Sequence, residues 1–159
     1  MENIKDKAYF YGFYEWETIR NGKVVDKGKT PNMVVNVGLA EIGALVGYGL
    51  GGTAFRYLAA GTGTNDVAAT DTALQTEITN SGLARVAATI TQETTTTTND
   101  TIKFYNSFSV TGSKTVAEVG VFNTSSSGDM LSRSKLTTAK PLESTDTWNL
   151  TYNLVLARA

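Results

Sequence analysis

The chain contains no cysteine and no histidine. Without cysteine, neither a disulfide framework nor a thiolate metal site can form. Without histidine, it lacks the commonest general base near neutral pH and the imidazole that activates Ser-His and Cys-His nucleophiles. Most hydrolase chemistries thereby lose their central group. Charge is sparse as well: Asp, Glu, Lys and Arg make up 18% of the chain and the formal net charge is -1. No basic field is available to neutralise a row of phosphates, so no nucleic-acid partner is expected. Apolar runs long enough to cross a bilayer are missing too. The start, Met1-Glu2-Asn3-Ile4-Lys5-Asp6-Lys7, has no apolar stretch behind it, so neither a signal peptide nor a membrane contact is expected, and synthesis is assigned to a cytoplasm.

What is present is a polar surface of Thr, Ser, Asn and Gly around strand-like segments. A length of 159 residues suits one core, and a single domain over 1–159 is expected. Ala8 to Arg20 is dense in aromatic and β-branched residues, and Asn21-Gly22 is a strong hairpin signal pairing it with Lys23 to Lys29. Phe10, Tyr14 and Trp16 fall on one face of that first strand and Tyr9, Tyr11 and Phe13 on the other. Either the strand is buried on both sides or part of it docks on another subunit. Tyr9, Tyr11, Phe13 and Trp16 are therefore the candidate interface residues. Met1 to Lys7 is expected as a flexible N-terminal arm, which either frays or orders on a neighbour.

A short helix is expected at about 37–46, capped by Asn36 and closed by Gly47, with Val35, Leu39, Ile42 and Val46 on its apolar face. Gly47 to Gly52 reads as a connector; no Gly-Lys-Ser/Thr follows it to suggest phosphate binding. Tyr57-Leu58-Ala59-Ala60 is an apolar strand that stops abruptly at Gly61-Thr62-Gly63-Thr64. Further strands are expected at Leu83 to Thr91, around Ile102 to Val110, at Thr115 to Asn123, Met130 to Thr137 and Thr147 to Arg158. Thr94 to Thr98 with Asn99-Asp100 reads as a solvated hairpin tip, tolerant of change. The last strand alternates Trp148, Leu150, Tyr152, Leu154 and Leu156 with Asn149, Thr151 and Asn153, and belongs in the middle of a sheet. The sum is a mainly β fold: an antiparallel β-sandwich of about eight strands with one short helix against it.

Asp66, Asp71 and Glu77 lie near the loop after Gly61. Two carboxylates can hydrolyse a glycosidic bond if a sugar cleft holds them a few ångströms apart. No second element marks a cleft, and Asp71 before Thr72 is more simply a turn residue that bonds local backbone. A calcium loop of the Asp-x-Asp-x-Asp-Gly type is absent. No catalytic residue, metal or cofactor is expected.

Several segments taken together resemble a family of small structural proteins of tailed bacteriophages, described as tail-fibre-like or virion proteins. The matching pieces are Tyr14-Glu15-Trp16-Glu17 with Arg20-Asn21-Gly22-Lys23, then Asn32 to Leu39, Ala60-Gly61-Thr62-Gly63-Thr64 and Ala68 to Leu74. They continue with Ala117 to Asn123, Met130-Leu131-Ser132-Arg133 and the strand from Asp146. The resemblance implies a virion component with a β-rich fold and no enzymatic activity. Relatives that act as fibres continue into shafts or tips, whereas this last strand runs to Ala159. The expectation is accordingly a capsid-decorating protein, a homo-oligomer with a trimer favoured, whose partner is the major capsid protein or another virion protein. A tail, baseplate or fibre protein contacting the host is the alternative, and a carboxylate-based glycan hydrolase ranks third. Exposed aromatics around Tyr48 or Phe55 favour the tail; burial of the Tyr9 to Trp16 hairpin favours assembly.

Overall fold

Asn21 and Gly22 take φ of 50° and 73°, the left-handed backbone a two-residue hairpin between right-twisted strands requires. They join β1 (Ala8–Arg20) to β2 (Lys23–Pro31). The computed structural model describes residues 7–158, so the expected arm, apart from an exposed Lys7, lies outside the described residues. The chain continues through β3 (Met33–Val34), α1 (Asn36–Val46), β4 (Tyr57–Gly61), β5 (Val86–Ala87) and β6 (Thr89–Glu93). It ends with β7 (Thr101–Ser109), β8 (Lys114–Phe122), β9 (Met130–Leu142) and β10 (Thr147–Arg158).

These strands form two five-stranded antiparallel sheets, ordered β2-β1-β10-β7-β6 and β3-β9-β8-β4-β5. The expected antiparallel sandwich with one helix is what the chain forms, with ten strands in place of eight. One of the two extra strands is β3, too short to show periodicity. The other arises because the segment expected as one strand at Leu83 to Thr91 changes sheets at Ala88. Val86 pairs with Leu58 of β4, whereas Thr89 pairs with Tyr105 of β7.

β10 lies between β1 and β7, as its alternation predicts. Its Trp148, Leu150 and Tyr152 are buried against Leu58, Val119, Val121 and Leu131 of the second sheet, each large side chain contributing about 1.5–3 kcal/mol by leaving water. Two buried tyrosines tie the sheets together: the Tyr14 hydroxyl lies 2.7 Å from Ser132 Oγ, and its ring lies 4.7 Å from that of Tyr152. A smaller cluster of Val35, Ala59, Leu74, Phe122 and Met130 fills the far face of the second sheet. That sheet is thus covered on both sides, by the first sheet on one and by the loop after β4 on the other.

The helix departs from its expected cap and face. Val35, not Asn36, occupies the N-cap, and no side chain caps the helix. Gly47 does stand at the C-cap, where its N–H reaches Gly43 O, but with φ of -86° rather than left-handed. Of the expected face Val35 is buried and Ile42 packs on the core, but Leu39 and Val46 are exposed, and the buried helical residue is Gly38. The reason is distance: a Cβ at Gly38 would lie 2.4 Å from the Leu131 carbonyl oxygen, so the helix approaches β9 through its glycine and turns Leu39 outward.

Candidate functional site

The loop after β4 is held from below by one carboxylate. Glu118, fully buried on β8, accepts hydrogen bonds from Gly63 N (3.1 Å) and Thr76 N (2.8 Å) on Oε1, and from Gln75 N (3.0 Å) on Oε2. Its charge is matched by Arg133 of β9, whose Nε donates to Oε2 at 2.8 Å. Arg133 also donates to Asp71 Oδ2 (2.9 Å) and to the carbonyls of Asn65 and Asp66 (both 3.2 Å). Burial opposes the charge of that guanidinium, but the hydrogen bonds to Glu118 and Asp71 outweigh it and raise its pKa. The Gly-Thr-Gly-Thr spelling follows from this contact, because a Cβ at Gly61 or Gly63 would stand 2.5 Å from Glu118 Oε1.

The three carboxylates expected near this loop are not brought together. Asp71 accepts from Ala68 N at 2.9 Å, the turn role read for it, and meets Arg133. Asp66 pairs with Lys135 at 2.8 Å, which lowers its pKa. Glu77 pairs with Arg85 at 2.6 Å, whose guanidinium sits 3.6 Å from the Phe122 ring centre. Each of these acids meets a different cation, with Arg133 shared between Asp71 and Glu118, and pairing of this kind braces the loop. Among the described residues no group of three or more acidic side chains is placed to hold a metal ion. Sequence reading gave Glu118 and Arg133 no role. The available signal was one acid, Glu118, inside the apolar run Val116 to Phe122 and a base, Arg133, flanked by Ser132 and Ser134 on the adjacent strand.

The outer face of the first sheet carries the candidate interface, and strand alternation divides its four residues. Tyr9, Tyr11 and Phe13 lie on the outer face. The rings of Tyr9 and Tyr11 stack 6.0 Å apart, and Lys29 Nζ stands 3.4 Å from the centre of the Phe13 ring. Trp16 points inward and is buried, with Nε1 donating to Asp26 Oδ2 at 2.7 Å. Beyond Phe13 the outer face becomes polar: Asn153 donates to Glu15 at 3.0 Å, Asn149 to Glu17 at 3.2 Å, and the Tyr105 hydroxyl to Asn149 at 3.2 Å. An aromatic strip thus adjoins a flat field of amide and carboxylate groups. Of the two loop aromatics, Tyr48 stands fully exposed and Phe55 is buried.

The hairpin tip between β6 and β7 is built around one residue. Asp100, buried, accepts from the amides of Thr95, Thr96 and Thr97 and from Thr96 Oγ1 at 2.7–2.8 Å. The Thr97 and Thr95 amides hold its pKa far below the usual carboxylate range. The tip is solvated as expected, Thr94 to Asn99 all being exposed, and one buried carboxylate organises it.

No helix among the described residues is long and apolar enough to cross a membrane. No curated protein and no solved structure matches this chain. A protein-family model described as Podophage GP4 fiber I protein gp80 does match, over residues 44–156. The matched region runs from the last turn of α1 into β10 and includes the Glu118–Arg133 brace and the Asp100 tip, while β1 and β2 lie outside it. The match covers well over half of the sequence, and the chain accordingly belongs to the podophage GP4 fibre I protein gp80 family, a family of bacteriophage virion structural proteins.

Proposed function

We propose that this chain is a non-enzymatic component of a podophage tail fibre that holds its place by surface contact with other virion proteins. The family description carries the reading, and the geometry supports it in three respects. The acids are spent on separate ion pairs, the exposed aromatics form a strip rather than lining a cleft, and Tyr48 projects from a loop as expected of a tail protein. On this reading Tyr9, Tyr11 and Phe13 form the face that meets a neighbouring virion protein, and Trp16 supports that face from inside. Copies of the chain assemble with one another in a closed cyclic form, which leaves no interface unsatisfied, and the resemblance to small virion proteins favours a trimer.

Capsid decoration is the second reading, favoured by the same strip, since many weak contacts repeated over a lattice suit a polar and aromatic surface. Mixing purified protein with empty capsids and, separately, with isolated tails distinguishes the two by co-sedimentation and negative-stain imaging. Binding to tails at a few copies per particle is the expected result. Saturable binding to capsids in many copies would replace the fibre reading with decoration.

A further inference from the structure

The two sheets do not close at one end of the sandwich. There the inward row of the first sheet continues past the second, with Phe10 of β1 paired to Leu156 of β10 and both exposed. Helix α1 lies over this end but leaves an opening of about 420 Å³ in which every lining residue is apolar, among them Ile42, Phe55, Ile90 and Ile102. On its rim Val46, the last helical residue, is 83% exposed, and beside it the loop after α1 lifts Leu50 to 68% exposure next to the fully exposed Tyr48. Gly49 and Gly51, both at φ of 80°, give that loop its tight turns. An apolar mouth and an apolar knob therefore sit side by side on one chain.

Size decides what can cover them. The exposed fractions of Phe10, Val46, Tyr48, Leu50, Ile90 and Leu156 amount to on the order of 800 Å². This whole-residue area, polar and apolar atoms together, approaches the roughly 800 Å² per partner of a standard interface. Mouth and knob are concave and convex, both apolar and both unpaired, so each supplies what the other lacks when two copies meet. We infer that a second copy of this chain covers this end, with the Tyr48-to-Leu50 knob of one copy seated in the mouth of its neighbour and Val46 on the rim between them. The contact is separate from the Tyr9–Phe13 strip and stands wherever in the virion the chain sits.

Sedimentation velocity over about 1–100 μM, a span in which contacts worth roughly 6–8 kcal/mol become populated, tests the inference. The full chain is expected to sediment as an oligomer. Val46→Asp and Tyr48→Ser should each weaken self-association by about tenfold or more, as truncation of a central apolar anchor does. Both side chains are exposed in the single chain, so the thermal midpoint of the monomer should hold. Tyr11→Ser, on the outer face, should leave the oligomer intact. A full chain that stays monomeric at the highest concentration overturns the inference, as does an oligomer that survives Val46→Asp and dissolves with Tyr11→Ser. If the wild-type chain is monomeric and Ile4→Ser newly makes it bind an apolar dye, the occupant is the chain's own N-terminal segment, and a second copy is excluded.

Discussion

Glu118 and Arg133 show how one buried pair can decide the course of the loop from Gly63 to Thr76. Two charges in a low-dielectric interior gain little over an apolar pair of the same shape, but removing one partner leaves the other charged and unmatched, at about 3–5 kcal/mol. Glu118→Ala also strands the amides of Gly63, Gln75 and Thr76. It should therefore lower the urea midpoint more than any other single polar substitution. Adding Arg133→Met to the same chain should recover part of the loss, a non-additivity that a double-mutant cycle reads directly. A midpoint unmoved by Glu118→Ala would mean that the loop is held by Leu74 and the Thr62–Thr76 backbone pairing alone. Composition and local pattern could not reveal the pair, because its two members are 15 residues apart in sequence and meet only once β8 and β9 are in register. The Gly61 and Gly63 that make room for it were visible, and without the carboxylate they read only as a strand end.

At the scale of elements, what the sequence made legible was whatever depends on alternation and turn chemistry. β1 and β10 begin and end where the aromatic density and the Trp148-to-Leu156 alternation place them, since one face of each meets a core that tolerates no slip of register. The helix face was not legible, because periodicity weighs side chains and here contact depends on the absence of one. Propensity alone would make Gly38→Ala a gain of about 1 kcal/mol. A methyl group 2.4 Å from the Leu131 carbonyl oxygen forces α1 off β9, and overpacking of this kind costs about 1–3 kcal/mol, so the net effect on the thermal midpoint should be a decrease. An increase would show that the helix can lift without loss. The β6–β7 tip follows a similar logic. Asp100→Ala removes the acceptor of three consecutive amides, and those of Thr95, Thr96 and Thr97 should then exchange with solvent faster while the amides of β10 keep their protection. Uniform acceleration across both sheets would instead make the tip part of the global unfolding unit.

For the molecule as a whole, the missing histidines acquire a physical consequence. Three carboxylates are held below their ordinary range: Asp66 by Lys135, Asp100 by loop amides and Asp146 by Arg20. In the unfolded chain each returns to about 4, so its contribution is fully present above that value and is lost as pH falls below it. Two tyrosines shift the other way. Burial raises Tyr14 and Tyr152 well above their ordinary value, which is about 10 in the unfolded chain. Their contribution is complete below that pH and is lost above it, because the unfolded chain releases protons that the folded one keeps. No histidine titrates between these limits. Thermal unfolding followed by the fluorescence of the buried Trp16 and Trp148 should thus give a midpoint that is level from about pH 5 to 9 and declines on both sides. Tyr152→Phe gives up the hydroxyl's contacts with Ser132 and with Asn32, the latter at 3.3 Å, and should make the alkaline decline shallower while leaving the acid one unchanged. A step in the midpoint near pH 6–7, or an alkaline limb indifferent to Tyr152→Phe, would show that stability is governed by some other ionising group and not by these five.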